Sequence, residues 1–160
     1  MSLLRVEALS LAIGGRPILD RVTLGLATGE ILGVVGESGS GKSMTAQAIM
    51  GLLPGGSEVA GRVLLDGAEL PTRSDRAMRA IRGRDIGMIF QEPMTALNPL
   101  HTIGDQVAET ARIHGRISRA AAREIARATL ARAGLPEERF PSARYPHELS
   151  GGQRQRVAIA

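Results

Sequence analysis

The segment from Gly36 to Ser43 has the residue spacing with the most evident chemistry. Its sequence, GESGSGKS, fits the pattern G-x-x-x-x-G-K-[ST] and lies between a short apolar run and a stretch of good helix formers. Glycines let successive backbone N–H groups turn inward around phosphate oxygens, and the following helix N-terminus adds partial positive charge. Lys42 would neutralise β- and γ-phosphate charge, and the Ser43 hydroxyl is the expected Mg²⁺ ligand. The sequence therefore predicts a phosphate-binding loop, and a chance glycine-rich turn is a much weaker explanation.

A second segment, from Leu149 to Gln153, repeats this chemistry in a less specific form. Its sequence, LSGGQ, places a small hydroxyl and two glycines at the start of a predicted helix. Such a pattern can bind an anion. Taken alone, it is more typical of an ordinary capped helix start.

Together the two segments resemble the nucleotide-binding subunits of ABC transporters, in which the first is the Walker A loop and LSGGQ is the signature motif. Between them, Gln91 in the string IFQEP matches the Q-loop glutamine, which in that family reaches the metal and the attacking water. The strings MTALNP after Gln91 and YPHE before the signature resemble the dipeptide, oligopeptide and nickel importer branch. The order and spacing of the motifs match over the whole chain.

The resemblance implies an ATPase subunit that couples ATP hydrolysis to uptake of peptides or nickel, with ATP and Mg²⁺ as cofactors and Ser43 and Gln91 at the metal. Two ATP-binding subunits would form a head-to-tail dimer on the cytoplasmic face of the inner membrane. Membrane permease subunits would dock in a groove formed by residues 91–114, and an extracytoplasmic solute-binding protein would act indirectly. The residues expected at the nucleotide are Gly36, Glu37, Ser38, Gly39, Ser40, Gly41, Lys42, Ser43, Thr45 and Ile13 in cis, and Ser150, Gly151, Gly152 and Gln153 in trans.

Two departures from the family pattern alter these expectations. The first hairpin lacks the usual aromatic residue that stacks on adenine, and Ile13 is the best-aligned position, so the predicted base contact is apolar. The sequence reaches Ala160 before any Walker B strand, catalytic glutamate, D-loop or switch histidine. We therefore expect this chain to bind ATP with negligible hydrolysis. We also expect the apolar run 31–35 to lack a neighbouring strand, which favours self-association.

The patterning predicts the elements that must position these motifs. The expected fold is α/β, a P-loop NTPase core with an N-terminal antiparallel β subdomain and a helical subdomain that carries the signature motif, incomplete at the C-terminus. The expected division is 1–93 for the β subdomain and core up to the Q-loop, 94–150 for the helical subdomain and 151–160 for the start of the signature helix. The predicted strands are 3–11, 17–26, 31–35, 62–65 and 86–90, and the predicted helices are 43–53, 74–82, 103–114, 117–128 and one beginning near Gly151.

Composition excludes several other kinds of protein. The 160 residues leave room for little more than one domain, and the absence of cysteine excludes disulfide frameworks, zinc fingers and thiol nucleophiles. The net charge is +4, and Lys42 is the only lysine. The arginine stripe at Arg119, Arg123 and Arg127 is most simply a solvated helix face, and aromatic residues make up only 2%, so no nucleic-acid partner is predicted. No segment has the length of a membrane-spanning helix or the layout of a signal peptide.

Three alternatives explain less of the sequence. A non-transport ATPase of the same superfamily would normally carry long insertions or tandem copies. A small P-loop kinase acting on a nucleotide or metabolite fits the length and the phosphate loop, but it leaves LSGGQ and Gln91 unexplained. A nucleic-acid-binding module rests on arginine content alone. The importer subunit is therefore the preferred hypothesis.

Overall fold

The computed structural model describes residues 2–90 and 97–160, and the chain divides into two compact units, residues 1–86 and 87–160. The first unit holds a sheet and two helices, and the second unit is helical. The strands are β1 (Ser2–Ile13), β2 (Arg16–Ala27), β3 (Ser57–Leu65) and β4 (Ala68–Glu69). The α-helices are α1 (Lys42–Ile49), α2 (Asp75–Met78), α3 (Ile103–Gly115), α4 (Arg119–Arg132) and α5 (Gly151–Ile159), with a 3₁₀ turn at Pro146–Glu148.

The first unit is built on an antiparallel sheet in the order β2-β1-β3-β4. The predicted opening hairpin is confirmed: β1 and β2 pair through a turn at Gly14 and Gly15, which have φ values of 56° and 74°. Apolar residues of the alternating pattern face one side of the sheet and pack against α1. The buried residues of this core are Val6, Leu9, Leu11, Leu19, Ala48, Ile49, Val63, Leu70 and Met78.

A close backbone approach between β1 and β3 requires glycine at position 61. Ala8 has a φ of 48°, and the pairing of β1 with β3 is irregular between Glu7 and Ser10. Gly61 faces this irregularity with a φ of 89°, and a Cβ atom there would lie 2.5 Å from the Ala8 carbonyl oxygen and 2.6 Å from that of Glu7. Two neighbouring strands can therefore approach here only because residue 61 has no side chain.

We expect Gly61→Ala to lower the free energy of unfolding by about 2–4 kcal/mol, since it combines left-handed backbone strain with a backbone clash. Gly67→Ala is the matched control. Gly67 has a similar φ of 79°, but no atom of the described residues lies within 4 Å of an added Cβ atom, so only the conformational strain applies. Urea unfolding of the two variants checks the prediction. Equal losses would show that the close approach at Gly61 carries no cost of its own.

Two predicted strands are wrong for the described residues. Residues 30–37 form neither helix nor strand, and Ile31 and Val35 are 96% and 94% exposed. Residues 87–90 are likewise outside any strand, and only an isolated parallel bridge joins Arg82 to Ile86. A central strand is stable only when neighbouring strands exchange a row of hydrogen bonds with it, and no described segment forms such a ladder with these two. An apolar run alone does not supply that partner.

An arginine fork joins the C-terminal end of α1 to the short helix α2. Helix α1 ends sooner than predicted, at Ile49, because Gly51 adopts a φ of 62°. Arg82 donates hydrogen bonds to the carbonyl oxygens of Met50 and Gly51, each 2.8 Å long, where the helix dipole favours a cation. The remaining nitrogen of its guanidinium group donates to Asp75 Oδ1 at 2.7 Å. Only four residues of the predicted helix 74–82 are helical, and the remainder forms turns that carry Arg82 back to α1.

The Asp75 carboxylate makes this fork depend on pH. Hydrogen bonds from Arg82 and then from Arg79 hold the pKa of Asp75 below its ordinary value of 3.8. A lowered folded-state pKa contributes stability that is fully present above the ordinary value and is lost as pH falls through the folded value. We therefore expect Asp75→Asn to destabilise the first unit at about pH 7 and to cost progressively less below about pH 4. Urea midpoints of both proteins across that range test this. A difference that is the same at every pH would contradict the ionic origin.

The described part of the second unit contains three α-helices whose starts are set by side-chain caps. Thr102 and Ser118 accept hydrogen bonds from the backbone N–H groups three residues later, so α3 and α4 begin where a hydroxyl can cap them. Both helices were predicted, and α4 runs four residues further than expected. Small residues form the contact between α3 and α4, and a second cluster joins α3 to α5. These buried residues are Ala108, Ala122 and Ala126 in the first cluster and Ile103, Leu130, Leu135, Leu149 and Val157 in the second.

The arginine stripe of α4 is exposed, as a solvated face should be. Arg123 lies 3.7 Å from Asp105, and Arg127 forms an ion pair with Glu124 one turn earlier. All three stripe arginines have exposed side chains. Exposed pairs of this kind contribute little to stability.

Candidate functional site

The phosphate loop turns directly into α1, as the sequence predicts. Gly39 and Gly41 have φ values of 83° and 91°, and Gly41 occupies the position before the first residue of the helix. Among the described residues no side chain caps this helix start, and its first turn contains no acidic residue. Backbone N–H groups at the start of a helix attract anions when no carboxylate is already there. The loop is therefore chemically suited to a phosphate group.

The ammonium group of Lys42 lies against the loop itself. Its Nζ atom donates to the carbonyl oxygens of Gly36 at 2.7 Å and Glu37 at 2.6 Å, and to Ser40 Oγ at 3.3 Å. These three bonds use all of its donors. The lysine is thus held across the loop rather than extended into solvent, and phosphate oxygens would have to compete with carbonyl oxygens for its protons.

A contact with the hairpin fixes the junction between the loop and α1. A Cβ atom at Gly41 would lie 2.5 Å from Leu19 Cδ2 and 3.4 Å from the Ile18 carbonyl oxygen. Thr45, which is 8% exposed, donates from its hydroxyl to the Gly41 carbonyl oxygen at 3.0 Å. Its hydroxyl therefore stabilises the first turn of α1. The motif identified Gly41, but no periodicity in the sequence indicated that β2 would lie beside it.

The other residues predicted to contact the nucleotide on the same subunit lie in the loop, in the first turn of α1 and at the end of β1. Ser43 is exposed in the first turn of α1, and Glu37 and Ser38 are exposed in the loop. Ile13 ends β1, pairs with Arg16 and Ser57, and is half-buried against the core of the first unit. Gln91 lies outside the described residues, so its predicted position beside Ser43 stays a prediction.

The LSGGQ segment forms a reciprocally capped helix start. Ser150 Oγ accepts from the Gln153 N–H at 3.4 Å, and Gln153 Oε1 accepts from the Ser150 N–H at 2.8 Å. Leu149 anchors the segment because it is only 4% exposed. Gly151 and Gly152 are exposed, and no atom of the described residues lies within 4 Å of a Cβ atom added to either. The segment therefore presents an exposed, capped backbone surface at the start of α5.

The family follows from a comparison with known proteins. The family model described as ABC transporter matches residues 19–160, which include both the phosphate loop and LSGGQ. The chain belongs to the ABC transporter family. The fold agrees: the ATP-binding cassette MJ0796, solved as a dimer bound to ADP and Pi, aligns with a TM-score of 0.82 and 30% identity. That alignment covers 98% of this chain and 67% of the cassette. The α/β fold expected from the motifs is therefore confirmed for the part of the cassette that this chain spans.

Curated relatives of this ABC chain include transport ATP-binding proteins from several bacteria. A peptidoglycan transport ATP-binding protein, YejF of Agrobacterium fabrum, is 51% identical over 99% of this chain and 30% of its own length. The dipeptide transport ATP-binding protein DppD of Bacillus subtilis is 49% identical over 87% of this chain and 42% of its own length. The chain thus spans less than half the length of these relatives. Among the helices in residues 2–90 and 97–160, none is long and apolar enough to cross a membrane.

Proposed function

We propose that this chain is the ATP-binding part of a peptide-importing ABC ATPase subunit, which hydrolyses ATP to ADP and phosphate to drive uptake. The observation that carries the proposal is that one chain holds two separate elements suited to phosphate, the Lys42 loop and the exposed Ser150–Gly152 helix start. A nucleotide site formed by one subunit alone needs only the Lys42 loop. Two elements are required when each subunit completes a site on another, which supports a head-to-tail dimer.

The residues of the phosphate loop have distinct proposed roles. Lys42 exchanges the Gly36 and Glu37 carbonyl oxygens for β- and γ-phosphate oxygens, and the loop N–H groups surround the phosphates. Ile13 supplies an apolar contact to adenine, and Thr45 holds the loop to α1. The loop residues proposed to contact the nucleotide are Gly36, Glu37, Ser38, Gly39, Ser40, Gly41, Lys42 and Ser43.

Magnesium fits the proposed site. Mg²⁺ prefers oxygen ligands, keeps several waters and binds through few protein groups when phosphates are present. Ser43 offers an exposed hydroxyl at the start of α1, whose first turn contains no acidic residue. When bound, the ion would neutralise phosphate charge. Gln91 is the proposed second metal ligand, and it would also position the attacking water.

The partners of the complete subunit are proposed from the names of its relatives and from the second unit. The relatives described above act in peptidoglycan and dipeptide transport, which favours peptides over nickel. We propose that a second ATP-binding subunit presents Ser150, Gly151, Gly152 and Gln153 to the γ-phosphate. Permease subunits would hold the complex at the cytoplasmic face of the inner membrane, and the extracytoplasmic solute-binding protein would act through them. We retain the division into residues 1–93, 94–150 and 151–160 as part of this proposal.

Binding of Mg-ATP to the 160-residue chain is the direct test. If the phosphates carry recognition, the chain should bind ATP and ADP and should bind adenosine at least about 100-fold more weakly, which equilibrium titration measures. Equal affinity for adenosine and ATP would contradict the proposal. Phosphate release in the same samples tests the separate expectation that this chain turns ATP over negligibly. Turnover well above background would place the missing catalytic carboxylate within these 160 residues.

A further inference from the structure

The carboxylate of Glu137 closes the loop that runs from the end of α4 toward LSGGQ. Both of its oxygens accept from the Ser142 N–H, each at 3.1 Å, and Oε1 also accepts from the Ser142 hydroxyl at 3.1 Å. Both residues are half-buried. Hydrogen bonds to an ionised carboxylate are stronger than those between neutral groups. They therefore hold the backbone of Ser142 in one conformation.

This loop bonds to the start of α3. The Ile103 N–H donates to the Arg144 carbonyl oxygen and the Gly104 N–H donates to the Ser142 carbonyl oxygen, both at 2.8 Å. Thr102 accepts from the next two N–H groups of the helix, through its hydroxyl and its carbonyl oxygen. The first four N–H groups of α3 are thus bonded, and the loop supplies the partners of the first two.

The bonds between the loop and α3 require a close approach at Gly104. A Cβ atom there would lie 2.7 Å from Ser142 Cβ and 2.9 Å from the Ser142 carbonyl oxygen. Neither atom can move away by rotation of a side chain, because both are fixed by the backbone. The carbonyl oxygen that Glu137 positions can therefore reach α3 only because residue 104 has no side chain.

The same loop continues into LSGGQ through a segment that is itself hydrogen-bonded. The Tyr145 N–H donates to Glu148 Oε2 at 2.7 Å, and the Leu149 N–H donates to the Pro146 carbonyl oxygen at 3.1 Å. Leu149 also belongs to the buried cluster that contains Ile103. A displacement of the loop from α3 should therefore also displace the LSGGQ helix start.

We propose that Glu137 is a positioning residue for the nucleotide site that two subunits share: it holds Ser142 where its carbonyl oxygen bonds to α3, which sets the position of the LSGGQ helix start. This inference rests on the function proposed above, in which that helix start contacts the γ-phosphate bound by a second subunit. Within the described residues, the hydrogen bonds of Glu137 all end on Ser142, and the phosphate loop lies in the first unit. Glu137 therefore acts on ATP-driven dimerisation and not on ATP binding by the Lys42 loop.

Amide hydrogen exchange in the 160-residue chain tests the local step. In Glu137→Ala, exchange at Ser142 and Gly104 should accelerate by at least about tenfold, while exchange in the first unit stays unchanged. Glu138→Ala is the matched control, because Glu138 carries the same charge, is exposed and has no hydrogen bond or ion pair to any described residue. Unchanged exchange at Gly104 in Glu137→Ala would overturn the inference, and so would equal acceleration in the control.

Light scattering with ATP, under conditions that block hydrolysis, tests the consequence in the complete subunit. Glu137→Ala should raise the dimer dissociation constant by at least about tenfold and change the ATP affinity of the monomer by less than about twofold. Glu137→Gln keeps one acceptor oxygen and should give an intermediate value, and Glu138→Ala should alter neither quantity. All variants are compared below the temperature at which any of them begins to unfold.

Gly104→Ala perturbs the same contact from the side of α3. Alanine normally favours a helix over glycine, so a loss of dimerisation in this variant would come from the clash with Ser142. We expect a loss in the same direction as in Glu137→Ala. Normal dimerisation in both variants would overturn the inference, and so would a parallel loss of ATP affinity, which indicates a general structural role. Failure of the proposed function is read separately, from the unsubstituted subunit: it would not dimerise with ATP.

Discussion

Replacing Lys42 by alanine is expected to weaken ATP binding to this chain by at least about 100-fold. The Nζ atom already lies within 2.7 Å of two loop carbonyl oxygens, so the loop is built around a cation. Alanine removes that charge and leaves those oxygens facing the phosphate groups, which repel them. The helix N-terminus and the loop N–H groups remain, so weak binding of the phosphates would persist. Equilibrium titration with Mg-ATP gives the two dissociation constants.

A matched variant separates the specific role of Lys42 from net charge. Arg76 is an exposed cation in the same unit, on α2, and it forms no ion pair with any described residue. Arg76→Ala changes the net charge by the same amount and should leave the ATP affinity within about twofold, because screened charges away from the loop contribute little. Thermal unfolding of both variants checks that the first unit stays folded. ATP affinity in Lys42→Ala within about threefold of the unsubstituted chain would mean that the loop does not bind phosphate through this residue.

Local chemistry made part of the candidate site predictable from sequence. The glycines before Lys42 and the hydroxyl of Ser150 act on backbone groups within a few residues of themselves, so spacing alone identifies them. The starts of α3 and α4 follow for the same reason, since a hydroxyl cap needs only the next turn of helix. Each of these features depends on short stretches of chain.

The features that sequence could not predict depend on distant partners. The run 31–35 is expected to be a strand without a neighbour, yet it forms no strand at all and Ile31 is almost fully exposed, because a strand needs neighbours to pair with. Arg82 caps α1 across more than thirty residues, and Glu137 holds a loop that bonds to the start of α3, much earlier in the chain. Neither role follows a helical or strand period, because polar side chains that bond to backbone are not spaced by burial.

The second large effect is expected in the complete subunit. We predict that Ser150→Arg spares ATP binding but prevents ATP-driven dimerisation, raising the dimer dissociation constant by at least about 100-fold. Ser150 caps a helix whose first two residues are exposed glycines, so a second subunit could approach the backbone closely there. An arginine side chain would occupy that space. Light scattering with ATP under conditions that block hydrolysis measures dimer formation, and a nucleotide titration measures binding.

Two further substitutions at Ser150 distinguish the effect of a bulky side chain on dimerisation from the effect of losing the α5 helix cap. Arginine also removes the serine cap of α5, which costs about 1 kcal/mol of helix stability. Ser150→Ala removes the cap without adding bulk, and Ser150→Asn keeps a capping group with a modest increase in size. If the second subunit contacts the exposed glycines, dimerisation should fall slightly in Ser150→Ala, more in Ser150→Asn and completely in Ser150→Arg. If Ser150→Ala and Ser150→Arg lose dimerisation equally, the helix cap and not the exposed surface controls assembly. If arginine dimerises normally, the proposed ATP sandwich is wrong, and the second phosphate-suited element of this chain is only a helix start.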